Sequence, residues 1–225
     1  MHVGALPYDT AHLLGGAALV LSFVLLYQRR VRACVTAYAL QAWVLALAAG
    51  WQGWVQGESQ LYLTALVTLA AKGVLLPLAL GRIAERLGLR GAAETALGVF
   101  ASMLLGLAFV ALAILVVRPA TSGSSAAAAL TREDLAFALS VVLLGLAVMI
   151  TRRSALLQVV GFLSLENGLI LAAVGVQGMP MVVELAVAVL VMVAFAVFGV
   201  FFFRIRERFD SLDVAELERV GRLRG

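Results

Sequence analysis

The sequence predicts an all-α, polytopic membrane protein of about seven transmembrane helices, and three observations carry that prediction. Hydrophobic residues make up 63% of the 225, charged residues 13%, and the mean hydropathy is +1.04. A soluble domain is about 45–50% apolar and about 25% charged, so a core of this size cannot hide so much apolar surface from water, and lipid must be the solvent. The apolar residues also fall into runs near the roughly 20 residues that a spanning helix needs, separated by short polar breaks. Third, the arginines cluster at alternate breaks, as the positive-inside rule requires of a multi-pass chain.

Taken in order, the expected helices are Ala11–Tyr27, Ala33–Val55, Leu61–Gly81, Thr95–Val117, Glu133–Ile150, Ser154–Val176 and Pro180–Arg204. The first has no basic region before it and no convincing cleavage site, so it is read as a retained helix and not a signal peptide. The longest connection, Pro119–Leu130, is rich in Ser, Gly and Ala and is expected to be irregular. Thr131 is expected to cap the fifth helix, with Glu133 and Asp134 near its positive end. Pro180 suits a first helical turn, where its missing N–H is no loss.

Arg29, Arg30 and Arg32, then Arg82, Arg86 and Arg90, then Arg152 and Arg153, and finally a tail with six arginines share one side. Only Arg118 and Arg132 lie on the other. An odd helix count follows, with the N-terminus outside, the C-terminus in the cytoplasm, and the arginines facing an anionic inner leaflet of a bacterial plasma membrane. The same placement accounts for a pI of 9.8 without nucleic acid.

A faint internal repeat is visible. Leu40-Gln41 and Gly50-Trp51-Gln52-Gly53 recur as Leu165-Glu166 and Gly175-Val176-Gln177-Gly178, an offset of 125. Helices one to three would then resemble helices five to seven, with the fourth as spacer, a parallel repeat of the kind used by membrane transport folds. The expected division is a three-helix unit over 1–94, a linking helix and loop over 95–130, a second three-helix unit over 131–208, and a cytoplasmic tail over 209–225.

Three ionisable residues fall within the apolar runs: Lys72, Glu166 and Glu184. A charge at mid-bilayer costs roughly 2.5–3.5 kcal/mol on insertion scales, so such residues usually face the protein interior and serve a function. Thr64, Thr68 and Lys72, spaced by four, form one polar stripe. Pro77 follows and leaves the Gly73 carbonyl without its helical donor. Buried carboxylates and lysines exchange protons readily, which marks Glu166, Lys72 and Glu184 as a candidate proton relay. Gln41 and Tyr38, one turn apart, and Asn167 beside Glu166 would extend a polar path. The residues alone leave open a second reading, in which Lys72 and one glutamate make a structural ion pair. Trp43, Trp51 and Trp54 read as interface anchors, and Cys34 as packing. A single cysteine and two histidines offer no metal cluster, and there is no phosphate-binding loop or nucleophile–base pair. No cofactor and no catalytic residue are therefore expected in this chain.

The stretch Gly161-Phe-Leu-Ser-Leu-Glu-Asn-Gly-Leu169, followed by Met179-Pro-Met-Val-Val-Glu184-Leu, resembles the paired glutamate helices of the K subunit of bacterial complex I. It also resembles the C subunit of multisubunit Na+/H+ antiporters. Together with Thr68-Leu-Ala-Ala-Lys72-Gly-Val-Leu-Leu-Pro77 and the tail Arg204-Ile-Arg-Glu-Arg-Phe-Asp, it is similar to component E of hydrogenase-4. The resemblance implies a non-catalytic subunit in the membrane arm of a formate hydrogenlyase-type or related complex. Its partners would be antiporter-like membrane subunits and, indirectly, redox subunits. It also implies that Glu166 and Glu184 are the membrane glutamates and Lys72 the helix-three lysine. A cation/proton antiporter subunit and a structural scaffold between larger subunits are the alternatives.

Overall fold

The computed structural model describes residues 6–86, 97–120 and 126–175, with side chains over 9–86, 97–118 and 133–174. The chain divides into two compact units, Met1–Met181 and Val182–Gly225, and everything described here lies in the first. The expected seventh span, Glu184 and the tail lie outside the described residues.

Six helices follow one another: α1 (Leu6–Tyr27), α2 (Val31–Gln56), α3 (Ser59–Arg86), α4 (Val99–Ala120), α5 (Ala126–Thr151) and α6 (Ala155–Gly175). All six are long and apolar enough to cross a membrane, as a multi-pass membrane protein requires, and the described residues form no extended strand. Helices α1, α2, α5 and α6 make the central bundle, with α1 on α2 and α5, and α6 on α2 and α5. Helix α3 flanks α2, and α4 flanks α1 and α5. Most of α4 is exposed, including Phe100, Leu104, Leu107 and Leu115, a surface suited to lipid or to another membrane subunit.

Two expectations about the fifth helix are corrected. It begins at Ala126, so Ala126–Leu130 is helical and Thr131 lies inside the helix instead of capping it. Alanine is the strongest helix former, and the run of four alanines extends the helix beyond the apolar stretch. Glu133 and Asp134 consequently sit well past the first turn. They flank His12 of α1, with Nε2 at 3.0 Å from Glu133 Oε2 and Nδ1 at 3.4 Å from Asp134 Oδ1.

The α5–α6 pair is the tightest contact, and glycine makes it so. A Cβ at Gly145 would lie 2.7 Å from the Leu165 Cα, and one at Gly168 would lie 2.7 Å from the Val142 nitrogen. Only hydrogen fits there, and membrane helices use such small residues to bring backbones together. The turn from α2 to α3 depends on Gly57, whose φ of 71° is left-handed and whose N–H returns to the Gly53 carbonyl.

Helix α3 is not uniform. Ser59–Val67 and Leu76–Arg86 are α-helical, but Thr68–Leu75 between them is a π-helix. Its last bond runs from the Leu76 N–H to the Ala71 carbonyl, five residues back. Such wide turns are rare and often mark functional sites.

Arg152 departs from the expectation that the loop arginines face the inner leaflet. It is 2% exposed, and its Nη2 donates to the carbonyls of Leu25, Leu26 and Gln28. The last carbonyls of α1 have no partner within their own helix, and this guanidinium supplies one from the α5–α6 turn. Arg32 remains exposed and pairs with Glu85 at 2.7 Å.

Candidate functional site

Lys72, Glu166, Asn167 and Gln41 meet in the middle of the bundle. Lys72 projects from the π-helical turn of α3, and its Nζ lies 2.9 Å from Glu166 Oε1 on α6. Lys72 is 3% exposed and Glu166 is 3% exposed, so the pair is sealed from both lipid and water. Removing two charges from water costs several kcal/mol per ion, which only close pairing and further hydrogen bonds offset.

Those further bonds run in one direction. Lys72 Nζ also donates to Asn167 Oδ1 at 3.3 Å, and Asn167 Nδ2 donates to Gln41 Oε1 at 3.2 Å. Gln41 Nε2 donates to Ser22 Oγ at 2.7 Å, and the Ser22 hydroxyl donates to the Ala18 carbonyl at 2.9 Å. Four helices thus contribute to one buried chain of donors, from an ammonium group to a backbone carbonyl. Side-chain amides do not ionise, so Asn167 and Gln41 can orient Lys72 but cannot themselves gain or lose a proton at neutral pH. The titratable chemistry of the site belongs to Lys72 and Glu166.

The other anticipated residues are close by. Thr64 and Thr68 are buried on α3, on the approach to Lys72. Tyr38 is fully buried one turn from Gln41, within electrostatic reach of Glu166. Neither the Tyr38 hydroxyl nor Glu166 Oε2 has a hydrogen-bond partner among the described residues. Buried polar atoms are rarely left so, and both belong to the same charged centre. Glu184 lies outside the described residues.

Ser22 escaped the sequence reading. Its only signal is that it is the one polar side chain in the run Gly15–Leu26 of α1. Trp43 was expected at an interface. It is half exposed, but its indole Nε1–H donates to the Gly73 carbonyl at 3.1 Å. No group of three or more His, Cys, Asp or Glu side chains among the described residues is placed to hold a metal ion.

The chain is similar to the uncharacterized protein Rv0085 of Mycobacterium tuberculosis, 28% identical over 207 residues that cover 91% of this chain and 93% of that one. No protein-family model matches the chain. No solved structure matches it either.

Proposed function

We propose that this chain is a non-catalytic subunit of a proton-translocating membrane complex, of the group 4 nickel–iron hydrogenase and formate hydrogenlyase type. It would lie in the bacterial cytoplasmic membrane with its N-terminus outside. The observation that carries the reading is the buried Lys72–Glu166 pair at 2.9 Å, set between helices long enough to span a membrane. Ionisable groups in such positions mark ion and proton pathways. The residues around the pair are also the ones through which the sequence resembles component E of hydrogenase-4.

In this reading the pair works as a neutral unit that a single proton unbalances. As ammonium and carboxylate the two charges cancel. A proton delivered to the Glu166 carboxylate, whose Oε2 is unengaged by the described residues, removes the counter-charge of Lys72. Lys72 then loses the attraction of that carboxylate, which favours release of its own proton or a shift toward its other acceptors, since a buried ammonium needs compensation. Asn167, held by Gln41 and Ser22, keeps Lys72 aimed at Glu166 between transfers. The parallel repeat belongs to the same proposal. Tyr27 and Thr151 end α1 and α5, Val31 and Ala155 begin α2 and α6, and each pair is 124 residues apart (151 − 27 and 155 − 31). At the offset of 125 between Gln41 and Glu166 (166 − 41), one residue more than between these helix ends, Gln41 stands in the first unit where Glu166 stands in the second, so only the second carries the acid.

Glu166→Gln keeps shape and hydrogen bonding but removes the titration. In the assembled complex, proton translocation coupled to turnover should fall severalfold or more while assembly is retained. A variant that assembles and pumps like the wild type rules this function out for Glu166.

A further inference from the structure

Pro77 has no N–H to give, so the Gly73 carbonyl loses the donor that residue 77 supplies in an α-helix. That carbonyl is nevertheless satisfied. Trp43 of α2 reaches across and donates its indole N–H to it at 3.1 Å. The approach depends on Gly73 having no side chain, because a Cβ there would lie 2.9 Å from both Cδ1 and Nε1 of the indole. Gly73 is the residue next to Lys72, and both lie in the π-helical turn Thr68–Leu75.

The π-turn holds one more residue than an α-turn. If it relaxed to α-helical register, the positions beyond it would rotate by about 100° relative to those before it. Lys72 would then no longer point at Glu166. A donor that fixes the carbonyl beside Lys72 therefore fixes the register in which the ion pair forms.

We infer that Trp43 is a positioning residue for Lys72, its indole N–H holding the π-turn in the register that brings Nζ to the Glu166 carboxylate. This deepens the proposed function, and it is tested by a readout that does not depend on transport. Lys72 is the only lysine in the chain, so nitrogen-labelled lysine gives a single side-chain ammonium signal in the full-length protein. With carbon-labelled glutamate, solid-state NMR in lipid bilayers reads the Nζ–Cδ contact of the pair directly. The contact should be present in the wild type and in W54F, which alters an exposed indole packed against Trp51. It should be severalfold weaker or lost in W43F, which deletes the donor. It should be lost likewise in G73A, which keeps the donor but pushes the indole away. A wild-type contact in either W43F or G73A overturns the inference. Loss of the contact with wild-type proton translocation would leave the positioning role standing and overturn the proposed function instead.

Discussion

Lys72 and Glu166 lie 94 positions apart in sequence (166 − 72), on two helices that both pack against α2, and meet at 2.9 Å with almost no exposure. Breaking such a pair by removing one partner typically costs about 3–5 kcal/mol, whereas replacing both by apolar residues is often neutral. Lys72→Met alone should therefore lower the thermal unfolding midpoint markedly in detergent. The double variant Lys72→Met with Glu166→Met should recover most of the loss. A double variant as unstable as the two single losses added together would show that the groups are not coupled.

Arg152 offers a second test, on stability alone. Burial of the guanidinium among the carbonyls at the end of α1 lowers its pKa from the usual arginine value, chiefly by desolvation. It stays charged at neutral pH. Hydrogen bonds to charged groups contribute about 1.5–3 kcal/mol each. Arg152→Ala removes those made to Leu25, Leu26 and Gln28 and should cost at least about 3 kcal/mol in a denaturation experiment. Arg29→Ala, on an exposed side chain in the facing turn, should change stability by less than about 0.5 kcal/mol.

The α5–α6 contact makes a third prediction, and a control comes with it. Gly168→Val sets a branched side chain against the backbone of Val142 and the carbonyl of Ala138. Overpacking of this kind costs about 1–3 kcal/mol and more where backbone must move. Gly16 on α1 has nothing within 4 Å of where a Cβ would stand, so Gly16→Ala should be at least as stable as the wild type. Equal effects at the two glycines, read by thermal unfolding in one detergent, would contradict the packing described.

Orientation is tested by fusion. A reporter active only outside the cytoplasm should be on when placed after Gln56 and off when placed after Arg30 or Arg86. The reverse pattern would invert the proposed topology.

Much of this structure was legible because the membrane imposes simple rules. Apolar length located all six described helices, and α1, α2 and α6 begin or end within a few residues of where hydropathy placed them. The ionisable residues announced themselves by their misplaced charge, so Lys72 and Glu166 stood out as candidates from sequence alone, but which glutamate meets Lys72 is seen only in the structure. What stayed hidden depends on neighbours that sequence does not name. Ser22 matters only because Gln41 faces it. Gly145 and Gly168 read like any other glycines until the close backbone is seen. Trp43 looked like an anchor because its partner is a carbonyl made available by a proline 34 positions away (77 − 43). The extension of α5 was lost because alanine is apolar too weakly to register as a span, yet folds readily as a helix.

The bonds of Arg152 also set an order in time. The ribosome makes α1 first, and its final carbonyls are left open until a residue as many as 127 positions downstream has been synthesised. The first helix can enter the membrane early, but its C-terminal end is completed only when the turn between α5 and α6 arrives. The end of α1 and the α5–α6 turn are thus joined late in synthesis, and a chain interrupted before Arg152 lacks the donor for the Leu25, Leu26 and Gln28 carbonyls.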